Sequence, residues 1–178
     1  KAFRDICDDL KILEKYEIDI PFFTQIGASA LTDKTIDVPT GGIEAGVPIT
    51  YVPFRNGIFL SITAAIAEKE GATAMYIGVV QEDSSGYPDC TDQFIQDITK
   101  AINQGTKEET KIEIITPLVH LTKAQIVEEA IKLNVPLEHT WSCYKEEEVA
   151  CGVCDSCRLR LNGFKIAGVK DPIPYKVL

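Results

Sequence analysis

Four of the six cysteines of this 178-residue chain fall within fifteen residues near its C-terminus, with the spacing C-x7-C-x2-C-x2-C. Two intervening residues bring a pair of sulfurs to the same side of the backbone, so Cys143, Cys151, Cys154 and Cys157 can surround one tetrahedral metal ion. Zinc is the expected metal. Because four thiolates leave no open coordination position, the spacing predicts a structural site and not a catalytic one. Disulfides or free structural thiols are the alternatives.

The composition is that of a globular protein, with 45% hydrophobic and 25% charged residues. No apolar run approaches the roughly 20 residues that a membrane helix needs, and no secretion signal is visible, so we expect a cytoplasmic protein with no membrane partner. The net charge is −9, and basic residues are scattered apart from a small group, Arg158, Arg160 and Lys165. This balance disfavours binding to nucleic acid through phosphates, although a local basic pocket for a nucleotide remains possible.

Hydrophobic periodicity predicts helices at residues 1–10, 56–70, 92–102 and 122–133 and strands at 16–20, 73–79 and 112–115. Gly71 is expected to end the second helix, Thr122 to Gln125 forms a capping box, and Asp155 is expected to cap a further helix. Residues 21–50 are predicted to form a long loop. This order favours an α/β domain with a parallel sheet over residues 1–140, followed by a zinc-binding segment and tail over residues 141–178.

Ligands of parallel sheets bind beyond the carboxyl ends of the strands, which are followed here by polar loops. After the second strand, Asp83 and Asp89 can accept hydrogen bonds from amino groups, and Tyr87 can stack on a flat base. The alternative is a plain surface turn, since Ser-Gly and Tyr-Pro are turn formers.

Two cations are predicted at helix N-termini, which attract anions. Arg55, followed by Asn56, offers a planar charged fork suited to phosphate or carboxylate, and Lys123 opens a later helix. An exposed arginine beside an asparagine cap and a solvated surface lysine are the alternatives. Both histidines, His120 and His139, are expected to cap or pack and not to act as bases.

Taken together, these segments resemble the QueC family of queuosine biosynthesis, the 7-cyano-7-deazaguanine synthases. The matching pieces are Val52-Pro53-Phe54-Arg55-Asn56, Gly78 followed by Asp83-Ser84-Ser85-Gly86-Tyr87-Pro88-Asp89-Cys90, Pro117-Leu118 with Lys123, and the cysteine cluster. They occur in the family's order and spacing, and the similarity covers nearly the whole chain.

The resemblance implies an adenine-nucleotide alpha-hydrolase-like fold of the N-type ATP pyrophosphatase superfamily. It implies an ATP-dependent ligase that turns 7-carboxy-7-deazaguanine and ammonia into 7-cyano-7-deazaguanine, with magnesium, as a homodimer. Arg55 and Lys123 would then be catalytic, and Asp83, Tyr87 and Asp89 would bind the deazaguanine. ATP would be bound by Arg55, Asn56, Gly78 and Lys123.

The sequence departs from the family at two points. It lacks the Ser-Gly-Gly-x-Asp-Ser phosphate loop, which in the family precedes the position matching Lys1, so we expect that loop to lie upstream. Thr91 stands where the family often has arginine, which would weaken a substrate or interface contact. Two alternatives therefore stay open: another ATP-activating tRNA-modification or amidating enzyme of the superfamily, and a non-catalytic zinc-stabilised interaction module.

Overall fold

A computed structural model describes residues 1–42, 46–81 and 86–177. Two compact units are present: a central unit, Ala45–Leu121, and a terminal unit formed by Lys1–Glu44 and Thr122–Leu178. Each unit is treated by itself below. The predicted domain boundary between residues 140 and 141 stays a prediction.

The central unit contains α3 (Arg55–Glu70), β1 (Ala74–Tyr76), a 3₁₀ turn (Pro88–Cys90), α4 (Asp92–Gly105) and β2 (Glu113–Ile115). The two strands pair in parallel, with Met75 opposite Ile114. This pairing confirms the predicted parallel sheet. The shared core consists of apolar side chains from both helices, both strands and their connections, namely Leu60, Ala64, Ala67, Met75, Val79, Cys90, Ile95, Ile112, Ile114 and Val119.

Local signals explain where the central helices begin and end. Gly71 ends α3 with φ of 67°, a left-handed conformation that glycine adopts without steric cost. Thr91 begins α4, because its hydroxyl oxygen accepts a hydrogen bond from the Phe94 N–H at 3.2 Å. Near the end of α4, the Asn103 amide bonds both backbone groups of Ile112, at 2.7 and 2.9 Å, and so fixes the approach to β2.

The terminal unit contains α1 (Ala2–Asp9), α2 (Phe22–Ile26), α5 (Lys123–Lys132), a 3₁₀ turn (Leu137–His139) and α6 (Asp155–Ile166). The predicted capping box is confirmed: Thr122 Oγ1 accepts from Gln125 N at 3.3 Å, and Gln125 Oε1 accepts from Thr122 N at 2.9 Å. Helices α5 and α6 pack against each other where α6 carries Gly163. A Cβ atom on that glycine would lie 2.9 Å from Lys123 Cβ, so only glycine allows this approach.

Four expectations from the sequence need correction. The long loop predicted at 21–50 contains a short helix, α2 (Phe22–Ile26). The predicted strand at 16–20 is wrong: this segment is irregular, Tyr16 and Ile18 are exposed, and no described residue forms a ladder with it. Alternation of apolar and polar side chains is typical of a strand, but a strand also needs a second strand to pair with. In this segment Glu17 is bound by Arg4 of α1, whose Nε and Nη2 donate to its carboxylate. The strand predicted at 73–79 is only three residues long, and its Tyr76 is 71% exposed.

The last correction concerns α6, which begins one residue earlier than a cap at Asp155 requires. Cys154 occupies the N-cap position, and Asp155 is the first helical residue. An acidic side chain in the first turn still complements the positive end of the helix. Among the described residues, no helix combines the length and apolar character needed to cross a membrane.

Candidate functional site

The four predicted cysteine ligands lie together in the terminal unit, with all sulfur atoms within 4.8 Å of one another. Cys151 Sγ and Cys157 Sγ are 3.9 Å apart. A tetrahedral thiolate site with Zn–S bonds of about 2.3 Å has sulfurs roughly 3.8 Å apart, so the cluster is close to the size that one such ion requires. All six cysteines are free, which excludes the disulfide alternative in this structure.

Backbone N–H groups around the cluster point at its sulfurs. Cys143 Sγ accepts from Lys145 N at 3.5 Å and from Cys151 N at 3.3 Å, and Cys151 Sγ accepts from Cys154 N at 3.3 Å. Such donors stabilise negative charge on sulfur. The donor set and its hydrogen bonds therefore fit a divalent metal ion that prefers thiolates.

The thiols differ in acidity. Burial raises the pKa of Cys151, but hydrogen bonds from the Cys154 and Val153 backbone outweigh it and lower the pKa to about 7. Burial raises the pKa of Cys154 and of Cys157. A bound cation removes the cost of placing several negative charges in this buried cluster.

The C-terminal tail, defined here as residues 171–177, packs over the cysteine cluster. Tyr175 pairs with Ala150 in an isolated parallel bridge, with Ala150 N donating to Pro174 O at 2.9 Å and Lys176 N donating to Ala150 O at 2.8 Å. Ile173 is buried against the cysteines, and Tyr175 packs beside it. At Gly152, which has φ of 80°, an added Cβ would collide with the Val177 carbonyl oxygen.

A buried ion pair fixes this tail to α6. Arg160 Nε donates to Asp171 Oδ2 at 2.6 Å and Arg160 Nη2 donates to Oδ1 at 2.9 Å, with side chains that are 12% and 3% exposed. Tyr175 also donates its hydroxyl proton to Asp171, at 2.7 Å. Burial opposes ionisation of Asp171, but hydrogen bonds from Arg160 and Tyr175 outweigh it and lower its pKa. The same burial and the Asp171 carboxylate raise the pKa of Tyr175.

In the central unit, Arg55 is the first residue of α3, as the sequence predicts within one residue. Its guanidinium has no ion-pair or hydrogen-bond partner among the described residues. The preceding Phe54 adopts a left-handed conformation with φ of 54° and donates its N–H to Tyr51 Oη at 2.9 Å. The helix thus begins at an uncommon backbone conformation directly before the Arg55 cation.

Asp89 and Asn56, predicted to bind substrate and nucleotide, bind each other. Asp89 is 4% exposed, and its Oδ2 accepts from the Asn56 backbone N–H at 2.8 Å. Asn56 Nδ2 lies 3.2 Å both from Asp89 O and from Cys90 Sγ, to which it donates. Tyr87 shares a hydrogen bond of 2.9 Å with Thr50 through their hydroxyls. Asp83 lies outside the described residues.

The remaining predicted residues are placed separately. Gly78 follows β1 and is exposed, and the nearest atom to an added Cβ, in Leu118, would be 3.9 Å away. Lys123 is the first residue of α5, in the terminal unit. Each histidine lies beside a carboxylate: His120 Nε2 is 2.8 Å from Asp92 Oδ2, and His139 Nε2 is 3.2 Å from Asp9 Oδ2. That they cap or pack and do not act as bases stays a prediction.

Sequence reasoning missed two features. The sequence indicates the Arg160–Asp171 pair only weakly, because Arg160 is one of several nearby basic residues and Asp171 lies in a tail without hydrophobic periodicity. It does not indicate the bond between Asp89 and the α3 N-terminus, because that bond joins residues that are 33 positions apart. Thr91, noted as a departure from the family, is the N-cap of α4.

The fold and the thiol cluster define an α/β protein with a parallel sheet and a four-cysteine metal-binding segment. A family model described as "Queuosine biosynthesis protein QueC" matches residues 1–168. The chain belongs to this QueC family, with its alpha-hydrolase-like fold.

Several curated relatives carry the name 7-cyano-7-deazaguanine synthase. The protein of Aliarcobacter butzleri (strain RM4018) is 87% identical over 99% of this chain and 77% of its own length. That of Nautilia profundicola is 70% identical over 99% of this chain and 79% of its own length. The Sulfurovum sp. (strain NBC37-1) protein is 69% identical with the same coverage, 99% and 79%. The chain thus matches these relatives along nearly its whole length.

Proposed function

We propose that this protein is an ATP-dependent ligase that converts 7-carboxy-7-deazaguanine and ammonia to 7-cyano-7-deazaguanine in queuosine biosynthesis. The observation that carries the proposal is 87% identity to a curated 7-cyano-7-deazaguanine synthase across 99% of the chain. The family match over residues 1–168 agrees with it. The substrates are small molecules, and we place the protein in the cytoplasm, where its six free cysteines would stay reduced.

The chemistry demands activation of a weak electrophile. A carboxylate resists attack by ammonia, so ATP must first convert it to a reactive acyl derivative. Ammonia then gives an amide, and a second activation permits its dehydration to the nitrile. The side chains of this protein would position the reactants and stabilise negative charge, while magnesium bound with ATP would neutralise phosphate charge.

We propose that Arg55 and, separately, Lys123 each bind an anionic group of the reactants, since each is the first residue of a helix. Backbone N–H groups at such positions favour anions, and the guanidinium of Arg55, which pairs with no residue that the structure describes, adds a fork that matches phosphate or carboxylate oxygens. Gly78 and Asn56 complete the proposed ATP contacts. Gly78 supports this role because it lies just beyond a strand of the parallel sheet and, without a side chain, leaves space beside the backbone for a ligand.

We assign the deazaguanine ring to the loop that ends at Cys90, with Asp83 and Tyr87 as the residues that would contact it. The sequence also indicates Asp89 for this role, but its Oδ2 accepts the Asn56 N–H at 2.8 Å. Tyr87 offers an aromatic face, and its ring centroid lies 5.8 Å from that of Tyr51. Carboxylates suit the amino group and ring N–H donors of a guanine-like base.

Zinc is the proposed metal of the cysteine cluster, with one ion per chain in a structural role. Structural zinc in small sites has an apparent binding free energy of roughly 10–16 kcal/mol near neutral pH. We therefore expect Cys154→Ser to lose the ion and to unfold the segment around Cys143 to Cys157, as measured by elemental analysis and limited proteolysis. Metal-free but folded wild-type protein, purified under reducing conditions, would contradict the proposal.

The activity itself is tested with the purified full-length enzyme. Incubation with 7-carboxy-7-deazaguanine, ammonia and MgATP should yield the nitrile, identified by mass spectrometry, and omission of ATP should abolish it. Formation of an amide without nitrile would indicate an amidating enzyme, and no ATP-dependent product would favour a binding module. We also propose a homodimer, which sedimentation of the purified protein would check.

A further inference from the structure

A reciprocal hydrogen-bonded clamp joins the α3 N-terminus to the loop that ends at Cys90. The backbone N–H of Asn56 donates to the Asp89 carboxylate, at 2.8 Å, and the Asn56 side chain donates back to the Asp89 carbonyl, at 3.2 Å. All of these atoms belong to the central unit. The clamp therefore sets the separation between Arg55 on the helix and Tyr87 on the loop.

The Asp89 carboxylate is suited to this role by its burial. A carboxylate that is 4% exposed needs donors, and the first N–H groups of a helix have no intrahelical acceptor. The free N–H of Asn56 and the buried charge of Asp89 therefore satisfy each other. Since Asp89 Oδ2 is already engaged by the protein, the residue acts on the substrate chiefly through the helix that it holds.

A second link runs parallel to the clamp. Phe54 donates its N–H to Tyr51 Oη, the Tyr51 ring lies beside the Tyr87 ring, and the Tyr87 hydroxyl bonds Thr50. Gly57 leaves room for the Phe54 ring, which an added Cβ would strike. The helix start and the loop are thus connected at two places. A ligand with two recognised groups requires that the residues binding them be held at a fixed distance.

We propose that Asn56 and Asp89 are positioning residues that fix the distance between the base-recognising loop and the anion-binding start of α3. This rests on the proposed function, in which one substrate carries both a deazaguanine ring and a carboxylate. With the clamp intact, ring and carboxylate are engaged together. With the clamp broken, the protein can bind the ring or the carboxylate, but it cannot hold both groups in their correct positions at the same time.

The test compares two probes by calorimetry: 7-carboxy-7-deazaguanine, which has both ends, and 7-deazaguanine, which has only the ring. Asp89→Asn keeps the shape and removes the charge, and Asn56→Ala removes the side-chain arm. Asp89→Asn should weaken binding of the carboxylated probe roughly tenfold, because it removes the charge that the Asn56 N–H binds. Asn56→Ala removes a hydrogen bond to the neutral Asp89 carbonyl and should weaken the same binding by about three- to tenfold. Binding of 7-deazaguanine should change less than about twofold.

Equal losses for both probes would show that Asp89 contacts the base directly and would overturn the proposal, as would no loss for either. If Asp89→Asn fails to fold, Asn56→Ala decides the matter alone, because its backbone N–H still satisfies Asp89. Asp92→Asn is the matched control: it removes a nearby carboxylate that pairs with His120, and it should leave both affinities unchanged. Wild-type protein that binds neither probe would refute the proposed function instead.

Discussion

Gly152 shows how one residue can decide whether the metal segment closes. Its φ of 80° is left-handed, and an added Cβ would collide with the Val177 carbonyl oxygen in the tail. The collision is with backbone, which cannot rotate away as a side chain would. Glycine is therefore required here for two separate reasons, conformation and space.

We expect Gly152→Ala to destabilise the protein by more than the roughly 1–2 kcal/mol that a left-handed alanine alone costs. Gly168→Ala is the control, because Gly168 has a similar φ of 73° but nothing within 4 Å of an added Cβ. Urea denaturation of both variants measures the difference. Equal losses of unfolding free energy would show that the tail does not pack against Gly152.

For single residues, the sequence predicts the cysteine cluster well but predicts few of the hydrogen bonds and ion pairs between side chains. Cysteine spacing is a local property, so Cys143, Cys151, Cys154 and Cys157 can be grouped as one possible metal-binding cluster before any fold is known, and the structure brings their sulfurs together. The partners of Asp89 and Asp171 depend on tertiary packing, because each pairs with a residue of a different element. No local pattern in the sequence encodes such a pair.

Among the elements, α6 and the tail are linked by the Arg160–Asp171 pair. The stability that this pair contributes depends on pH. The pKa of Asp171 is lowered in the folded protein, so its pairing contributes stability above the unfolded pKa of about 3.9. That contribution is lost as pH falls through the lower, folded pKa. Wild-type stability should therefore decline below about pH 4 partly because this carboxylate becomes protonated.

Asp171→Asn should cost about 3–5 kcal/mol at neutral pH, because it leaves Arg160 buried without its counter-charge. The variant should also lose less stability than the wild type between neutral and acid pH. Thermal unfolding across a pH series measures both effects. Parallel pH profiles for the two proteins would show that Asp171 titrates normally.

The start of α5 supports a prediction about catalysis. Lys123 sits where a cation is mildly unfavourable unless an anion is present, and Gly163 of α6 allows the close packing that holds its backbone. Lys123→Met keeps the apolar stem and removes the charge. We expect a loss of about 1.5–3 kcal/mol in transition-state stabilisation, or roughly one to two decades in turnover, with zinc content and folding nearly unchanged.

Lys132→Met is the matched control, since Lys132 lies in the last turn of the same helix, where it pairs with Glu129. It should keep full nitrile-forming activity. If Lys123→Met kept it as well, Lys123 would be a surface residue and the anion assignment would rest on Arg55 alone.

Over the whole molecule, helices are predicted better than strands. The 3.6-residue period and the caps at Gly71 and Thr122 are local, so α3 and α5 are predicted within a residue or two of their ends. Strands depend on partners that lie elsewhere in the chain. The alternation at 16–20 therefore gives no strand, and the buried strand predicted at 73–79 is only three residues long.

The net charge of the whole chain distinguishes an enzyme that acts on a free base from one that acts on tRNA. The chain has 27 acidic and 18 basic residues, and the small basic group is partly engaged within the protein. Arg160 is paired with Asp171, and Arg158 donates to the Thr40 and Val153 carbonyls. Few cations remain in that group to release counterions from a phosphate backbone.

We therefore expect no measurable tRNA binding at a physiological ionic strength of about 0.15 M, in filter-binding assays with the purified full-length protein. At the same salt concentration, 7-carboxy-7-deazaguanine should bind, because its recognition depends on a local site and not on net charge. Lowering the salt should not reveal a steep increase in tRNA affinity, since repulsion by a net charge of −9 strengthens as screening weakens. Micromolar tRNA binding that falls steeply with added salt would contradict this prediction and would favour a tRNA-modifying enzyme.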